Sequence, residues 1–342
     1  MQELIEKALV GDKWSVGRLI SVFEDRRPDA AGRRGSILHA LSQHPDARRG
    51  RFIGLTGTPG AGKSTLMGEI ANRLIRLPVQ VDHADGRAHT IDAGSARVAV
   101  LAIDPSSDVS GGAILGDRTR VNFALDERRL FFRSQASDRE LGGVSRSTFQ
   151  VARLLYYLFD YVLIETVGIG QNEIEIQYLA DRIYLVLQPL GGDGIQFMKA
   201  GIMEIPDVFV LNKADAQEAA KQSYFALKAA LSFVRPGEED QVEILLTSAH
   251  TGMGLDKLSQ DIADSSASVT KRSMQAKEEY YIAKWVRDEY GRMGLRHLNQ
   301  ALGGARAFLA SHNESYDAAQ TDFLKTYESS AGGRARAAAS TP

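Results

Sequence analysis

Phe52-Ile53-Gly54-Leu55-Thr56-Gly57-Thr58-Pro59-Gly60-Ala61-Gly62-Lys63-Ser64-Thr65-Leu66-Met67 joins an apolar run, a glycine-rich turn and the start of an amphipathic pattern. The run at 52–55 reads as a strand. Beyond the turn, Leu66, Met67, Ile70, Leu74 and Ile75 recur at helical spacing. Residues 57–64 between them fit G-x-x-x-x-G-K-[ST] in the order strand, loop, helix. Glycines open backbone angles closed to other residues, so successive N–H groups can point inward at phosphate oxygens while the helix N-terminus adds partial positive charge. Gly57, Thr58, Pro59, Gly60, Ala61 and Gly62 would form the cradle. Lys63 is placed to meet the β- and γ-phosphates, Ser64 to give its hydroxyl to Mg²⁺, and Thr65 to lie near the α-phosphate. The plain alternative is a glycine-rich turn with an incidental lysine, which the strand–loop–helix context argues against.

Working outward, further apolar runs fall at 98–103, 161–164, 183–187, 208–211 and 242–246, separated by helical patterns. Nearly unbroken apolar strands are expected where helices cover both faces of a sheet, which predicts an α/β domain with a mostly parallel sheet over residues 46–265. Ligands of such sheets sit beyond the carboxyl ends of the strands, and the polar motifs fall there. Before this domain, Val16, Leu19, Ile20 and Phe23 mark a helical prefix over 1–45. After it, residues 266–330 read as two or three helices, docked on the core or on a second copy of the chain. Residues 331–342 read as a disordered low-complexity tail, and 78–97 as a surface loop or small hairpin.

Composition narrows the function classes. The 342 residues hold 41 Lys+Arg against 43 Asp+Glu, a formal charge of -2, so no global basic field draws the chain to nucleic acid or an anionic membrane. A chain without cysteine has no disulfide, thiolate metal site or thiol nucleophile. No apolar stretch approaches the ~20 residues of a membrane span, and the N-terminus lacks a secretion signal, so the expected setting is cytoplasmic. The seven histidines show no paired metal spacing.

Two motifs point to the base. Asn212-Lys213-Ala214-Asp215 follows the 208–211 strand, and Thr247-Ser248-Ala249-His250 follows the 242–246 strand. A carboxylate at Asp215 can accept from guanine N1–H and the exocyclic amine, a donor pair adenine lacks, which favours GTP over ATP. Asn212 would brace the loop, the Lys213 stem would cover the base, and the Ala249 N–H would donate to O6. Three carboxylates, Asp104, Asp117 and Glu165, lie at or just after strand ends. Acids beside a nucleotide are repelled by its phosphates unless Mg²⁺ lies between, so their natural role is holding the metal; the plain alternative for each is a solvated turn acid. Ile169 stands after Gly168, where Ras-like enzymes have a water-positioning glutamine, which predicts slow intrinsic turnover.

The blocks Asp104-Pro105-Ser106-Ser107, Gly111-Gly112-Ala113-Ile114-Leu115-Gly116-Asp117-Arg118 and Glu165-Thr166-Val167-Gly168-Ile169-Gly170-Gln171, taken with the phosphate loop, resemble the MeaB/ArgK family over about residues 11–260. The resemblance implies a P-loop NTPase fold and an Mg²⁺-dependent GTPase, usually a homodimer; the C-terminal helices, a candidate dimerisation arm, lie beyond the stretch that matches the family. It implies a chaperone of an adenosylcobalamin-dependent acyl-CoA mutase, methylmalonyl-CoA mutase or a related isomerase, which gates cofactor loading and removal of damaged cofactor. GTP or GDP and Mg²⁺ would bind this chain, and adenosylcobalamin only through the partner. By motif, Lys63, Asp104 and Glu165 take the catalytic positions and Ser64, Asp104, Asp117 and Glu165 the metal. Asn212, Lys213, Asp215, Ser248, Ala249 and His250 take the guanine. Residues 191–196 match a third switch, with Gly194 where a second acid is common in the family. Two other classes stand beside this one: a kinase using the same loop, and a non-catalytic GDP/GTP sensor.

Overall fold

The computed structural model describes residues 1–25, 27, 29–82, 88–104, 127–136, 144–166, 175–189, 202–238, 241–264, 273–313 and 315–339. The chain opens with helices α1 (Gln2–Leu9), α2 (Lys13–Glu24) and α3 (Ala30–Ser42). Asp12 caps α2 by accepting the Ser15 N–H at 2.8 Å, which satisfies one of the four donors a helix start leaves open. Strand β1 (Arg51–Gly57) leads into α4 (Lys63–Leu74). An antiparallel hairpin, β2 (Val79–Asp82) with β3 (Ala88–Ile91), then precedes β4 (Val98–Asp104) and β5 (Leu130–Ala136). Next come α5 (Arg146–Leu158), β6 (Tyr161–Glu165), the one-turn α6 (Ile176–Leu179), β7 (Arg182–Leu187) and β8 (Val208–Leu211). The chain continues through α7 (Gln217–Val234), β9 (Glu243–Leu246), α8 (Leu255–Asp264), α9 (Met274–Gln300), α10 (Gly304–Ala310) and α11 (Tyr316–Ala339).

Seven strands form one sheet in the order β5-β4-β6-β1-β7-β8-β9, and every pairing in it is parallel. β1 is central, with β6 on one side and β7 on the other, so the carboxyl end of β1 opens at the point where the chain's direction of travel across the sheet reverses. That is where a doubly wound sheet offers its ligand crevice. Alternation sorts the side chains. Phe52, Leu101 and Val162 face α2, α3 and α5, whereas Ile53, Val100, Leu163 and Val186 face α4 and α8. On the far side of the sheet, Phe209 and Leu211 pack against Leu227 and Leu231 of α7.

The first of these cores crosses both expected domain boundaries. Val16, Leu19, Ile20 and Phe23 of the prefix share it with Ile282, Trp285, Phe308 and Phe323 of the C-terminal helices. Docking is on the chain's own α/β body. Arg97 ties the prefix down by donating to the Leu9 and Leu158 carbonyls at the ends of α1 and α5, where helix dipoles favour a cation. Burial pushes its pKa down to about 10. On the opposite flank α9 grips the segment around α6: Lys277 pairs with Asp181, Lys284 reaches Glu175 at 3.1 Å, and Tyr280 stacks on Tyr178 at 3.7 Å. Two sequence expectations change. β5, which the sequence reading did not assign, is an edge strand, and α11 continues to Ala339, so helix occupies most of the stretch expected to be a disordered tail.

Candidate nucleotide site

The crevice at the end of β1 is built by backbone first. Gly57 has φ 140, and a Cβ there would lie 1.9 Å from the Val186 carbonyl of β7, so only glycine lets the loop leave the sheet this close to its neighbour. Gly62 has φ 84 and stands as the N-cap of α4 without a side-chain cap bond, which leaves the first-turn N–H groups of α4 turned toward the loop. A Cβ at Gly62 would come 2.8 Å from Asn212 Nδ2, so the glycine is also what lets the segment after β8 approach. Lys63 is buried, and its ammonium donates to the Gly57 carbonyl at 3.0 Å and the Thr58 carbonyl at 3.1 Å. The charge therefore sits inside the loop. The Thr58 hydroxyl is buried without a hydrogen-bond partner among the described residues, an open polar position in the same cradle.

On the other side of the loop, Ser64 Oγ donates to Glu165 Oε1 at 2.8 Å. Register explains the meeting: Glu165 closes β6 opposite Leu55 of β1, so its side chain rises beside the start of α4. A buried hydroxyl and a buried carboxylate at this separation are the hard oxygen donors that suit Mg²⁺. Asp104 closes β4 at the same carboxyl edge, where Ala102 pairs with Glu165. Asp117, Gly168, Ile169, Gln171 and residues 191–196 lie outside the described residues.

The second half of the site is a web centred on Asn212. Its backbone N–H donates to the Leu187 carbonyl at 2.9 Å, and its side-chain NH₂ donates to the Ala61 carbonyl of the loop at 2.8 Å. Its Oδ1 accepts from the Ala249 N–H at 3.1 Å and from Thr247 Oγ1 at 3.3 Å. One buried amide thus joins the glycine-rich loop to the segments that follow β8 and β9. Lys213 adopts φ 61, and its ammonium donates to the Gly60 carbonyl at 2.7 Å and to Gln188 Oε1 at 2.9 Å. The Asp215 carboxylate is exposed and is held below the usual carboxylate range, first by a hydrogen bond from Ser248, then by its own backbone and by the nearby His250 and Lys213. It is ionised at neutral pH. Ser248 itself is buried and anchored by its N–H to the Met253 carbonyl at 2.9 Å.

Asn212, Lys213, Asp215 and residues 248–250 therefore converge on the phosphate loop from two strands. Thr65 points out from the first turn of α4, exposed. Gln188, absent from the sequence reading, joins the site; a lone glutamine after a strand carries no motif that would single it out.

Residues 16–291 match the model of the Methylmalonyl Co-A mutase-associated GTPase MeaB family. The chain belongs to that family. GTPase ArgK of Escherichia coli K12 is 32% identical over 311 residues, covering 87% of this chain and 86% of its own. The mitochondrial methylmalonic aciduria type A homolog of Caenorhabditis briggsae is 31% identical over 247 residues, 69% of this chain and 56% of its own. Among solved structures, one titled LAO/AO transport system kinase aligns over 96% of this chain and 97% of its own with TM-score 0.60 and 24% identity, a likeness of fold. The MeaB-family chain is a GTPase on a P-loop NTPase fold. No described helix is long and apolar enough to cross a membrane.

Proposed function

We propose that this protein binds GTP and Mg²⁺ at the β1–α4 crevice and that its nucleotide state governs association with an adenosylcobalamin-dependent acyl-CoA mutase. The observation that supports the nucleotide half is the Asn212 web, which ties the 212–215 and 247–249 segments to the glycine-rich loop. The mutase half rests on membership of a family described by that association.

In this reading the amides of residues 58–65 and the Lys63 ammonium hold the β- and γ-phosphates, meeting charge that grows on the phosphate oxygens as the terminal bond breaks. Lys63 exchanges its two carbonyl partners for phosphate oxygens, a short movement within the loop. Mg²⁺, when bound, neutralises negative charge on the bridging phosphates. Ser64 and Glu165 would hold it, with Asp104 and Asp117 completing the acidic set. Asp215 accepts from the guanine edge, and the Ala249 N–H would donate to O6 by turning from Asn212 Oδ1, which it meets at 3.1 Å. Loss of the third switch's contact with the mutase on hydrolysis would then release the partner, which is how GTP would gate loading and clearance of cobalamin.

Two outcomes follow. Asp215→Asn removes the anionic acceptor and should weaken GDP and GTP by about 2–3 kcal/mol, roughly 30- to 150-fold, while xanthine nucleotides gain because their C2 carbonyl can accept from the new amide. Calorimetric titration with the two nucleotide series checks this; equal loss for both would show that Asp215 does not read the base. For the partner, retention of purified methylmalonyl-CoA mutase on the immobilised protein should differ between GDP and a non-hydrolysable GTP analogue. Retention that ignores the nucleotide, or no retention in either state, contradicts the mutase half and leaves the GTPase half standing.

A further inference from the structure

Lys213 presents a problem of restraint. Its side chain is exposed, and an exposed lysine ordinarily samples many rotamers, yet in the proposed reading its stem must lie flat against a purine. Its backbone is also left-handed, φ 61, a region that non-glycine residues rarely occupy. Neighbouring backbone bonds hold that conformation: Asn212 N–H to the Leu187 carbonyl and Ala214 N–H to the Thr247 carbonyl, both 2.9 Å. The side chain is held by two acceptors, the Gly60 carbonyl at 2.7 Å and Gln188 Oε1 at 2.9 Å. The first belongs to the phosphate loop. The second has no place in any motif of the sequence.

We infer that Gln188 is a positioning residue for the nucleotide: its amide oxygen fixes the Lys213 ammonium, so that the lysine stem is laid out as a preformed wall for the base and release of GDP is slowed. The geometry suits the task. Gln188 directly follows Leu187, whose carbonyl receives the Asn212 N–H, so the amide springs from backbone bonded to the very segment it steadies. It is half-buried, which limits its own rotamers, whereas the lysine it holds is not. A neutral acceptor also leaves the lysine charge uncancelled, so the field over the phosphates is undiminished. Held from two directions, the ammonium gives up its freedom before the ligand arrives, and that preorganisation appears as a slower off-rate.

The inference rests on the placement of Lys213 over the purine, and the experiment separates the two. Dissociation of a fluorescent GDP analogue is measured by stopped flow for Gln188→Met, Gln188→Glu, Lys213→Met and the Gln188→Met/Lys213→Met double variant, with thermal melting as the check of folding. Gln188→Met keeps length and loses the acceptor, and should speed release roughly 3- to 10-fold. Gln188→Glu keeps an acceptor and should release GDP no faster than the parent. The double variant should be no faster than Lys213→Met alone, because the glutamine acts only through the lysine. If Lys213→Met speeds release and Gln188→Met does not, the positioning role falls and the base-covering role of the lysine survives. If Gln188→Met and Gln188→Glu are equally fast, or the two substitutions add, the glutamine is packing rather than positioning. If Lys213→Met itself leaves release unchanged, the lysine placement fails and takes this inference with it.

Discussion

Replacing Lys63 by alanine is expected to lower steady-state GTP turnover by about 10²- to 10³-fold, the range seen when one preorganised donor to a developing oxyanion is removed. The ammonium is buried among main-chain atoms and already sits within the turn, bonded to the Gly57 and Thr58 carbonyls. No large reorganisation is needed to bring it to a γ-phosphate, and a charge that is preplaced is worth more in the transition state than one recruited from solvent. GTP should also bind more weakly, because the ground-state triphosphate loses a cation. Stability should change far less. Alanine strips one ammonium from two carbonyls, and the Thr58 carbonyl keeps the Ala61 N–H at 3.2 Å, so the cost of unfolding should fall by only about 1 kcal/mol. Arginine is not expected to rescue, since a bulkier planar fork cannot occupy a space closed by the turn. Phosphate release at saturating GTP, with melting as the companion, decides it. An alanine variant within threefold of the parent would remove Lys63 from the chemistry and, with it, the assignment of the crevice as the site of hydrolysis.

The crevice was legible in the sequence because its chemistry is set by backbone. Gly57 and Gly62 are glycines for reasons of φ and of clearances of 1.9 and 2.8 Å, and those demands leave a fixed spacing in the sequence. Asn212 and Asp215 follow a strand by one and four residues, so the sheet alone delivers them. The central strands were equally readable, being apolar on both faces. β5 was not. At the sheet edge its apolar residues stop at Leu130, Phe131 and Phe132, while Arg133 and Gln135 turn to Glu24 of α2, with Gln135 Nε2 to Glu24 Oε1 at 3.0 Å. A mixed run of that kind resembles a loop until the edge is known. Gln188 escaped for another reason: its partner is 25 residues away, and nothing local marks it. The terminal helices were readable from their apolar spacing, but the way they lock together was not, because the groups that join them, Arg34, Arg153, Glu278 and Asp317, are charged, and charge in a helix reads as solvent exposure.

Those charges carry the other large expectation: Asp317→Ala should destabilise the protein by about 3–5 kcal/mol, lowering Tm by roughly 10 °C. Asp317, on α11, is 2% exposed and takes Arg34 of α3 at 2.9 Å on one oxygen and Arg153 of α5 at 2.8 Å on the other. Arg153 turns its Nε to Glu278 of α9 at 2.9 Å and also donates to Gln150, so four helices meet on one set of alternating charges. Burial by itself would push the Arg153 pKa down; Asp317 and Glu278 reverse that and leave it raised. The Asp317 carboxylate is thus a main reason the buried Arg153 guanidinium is held charged. Removing it leaves two cations facing each other with one acid between them, a desolvation cost that nothing nearby repays. Distance alone would not predict this. Lys7 and Glu3 approach to 2.7 Å on α1, but their side chains are 55% and 81% exposed, against 4% and 1% for Arg34 and Asp317. Water already solvates the first pair, so Glu3→Ala should leave Tm where it was. The comparison also bears on how the chain is divided. Arg34 and Asp317 are 283 residues apart, and if the prefix and the last helix were appendages, cutting their shared bond would loosen them while the sheet melted at its old temperature. A single shifted transition, read by both far-ultraviolet dichroism and Trp285 fluorescence, is the result expected of one shared core. Two transitions, or a loss below about 1 kcal/mol, would show that the termini hold on by apolar contact alone.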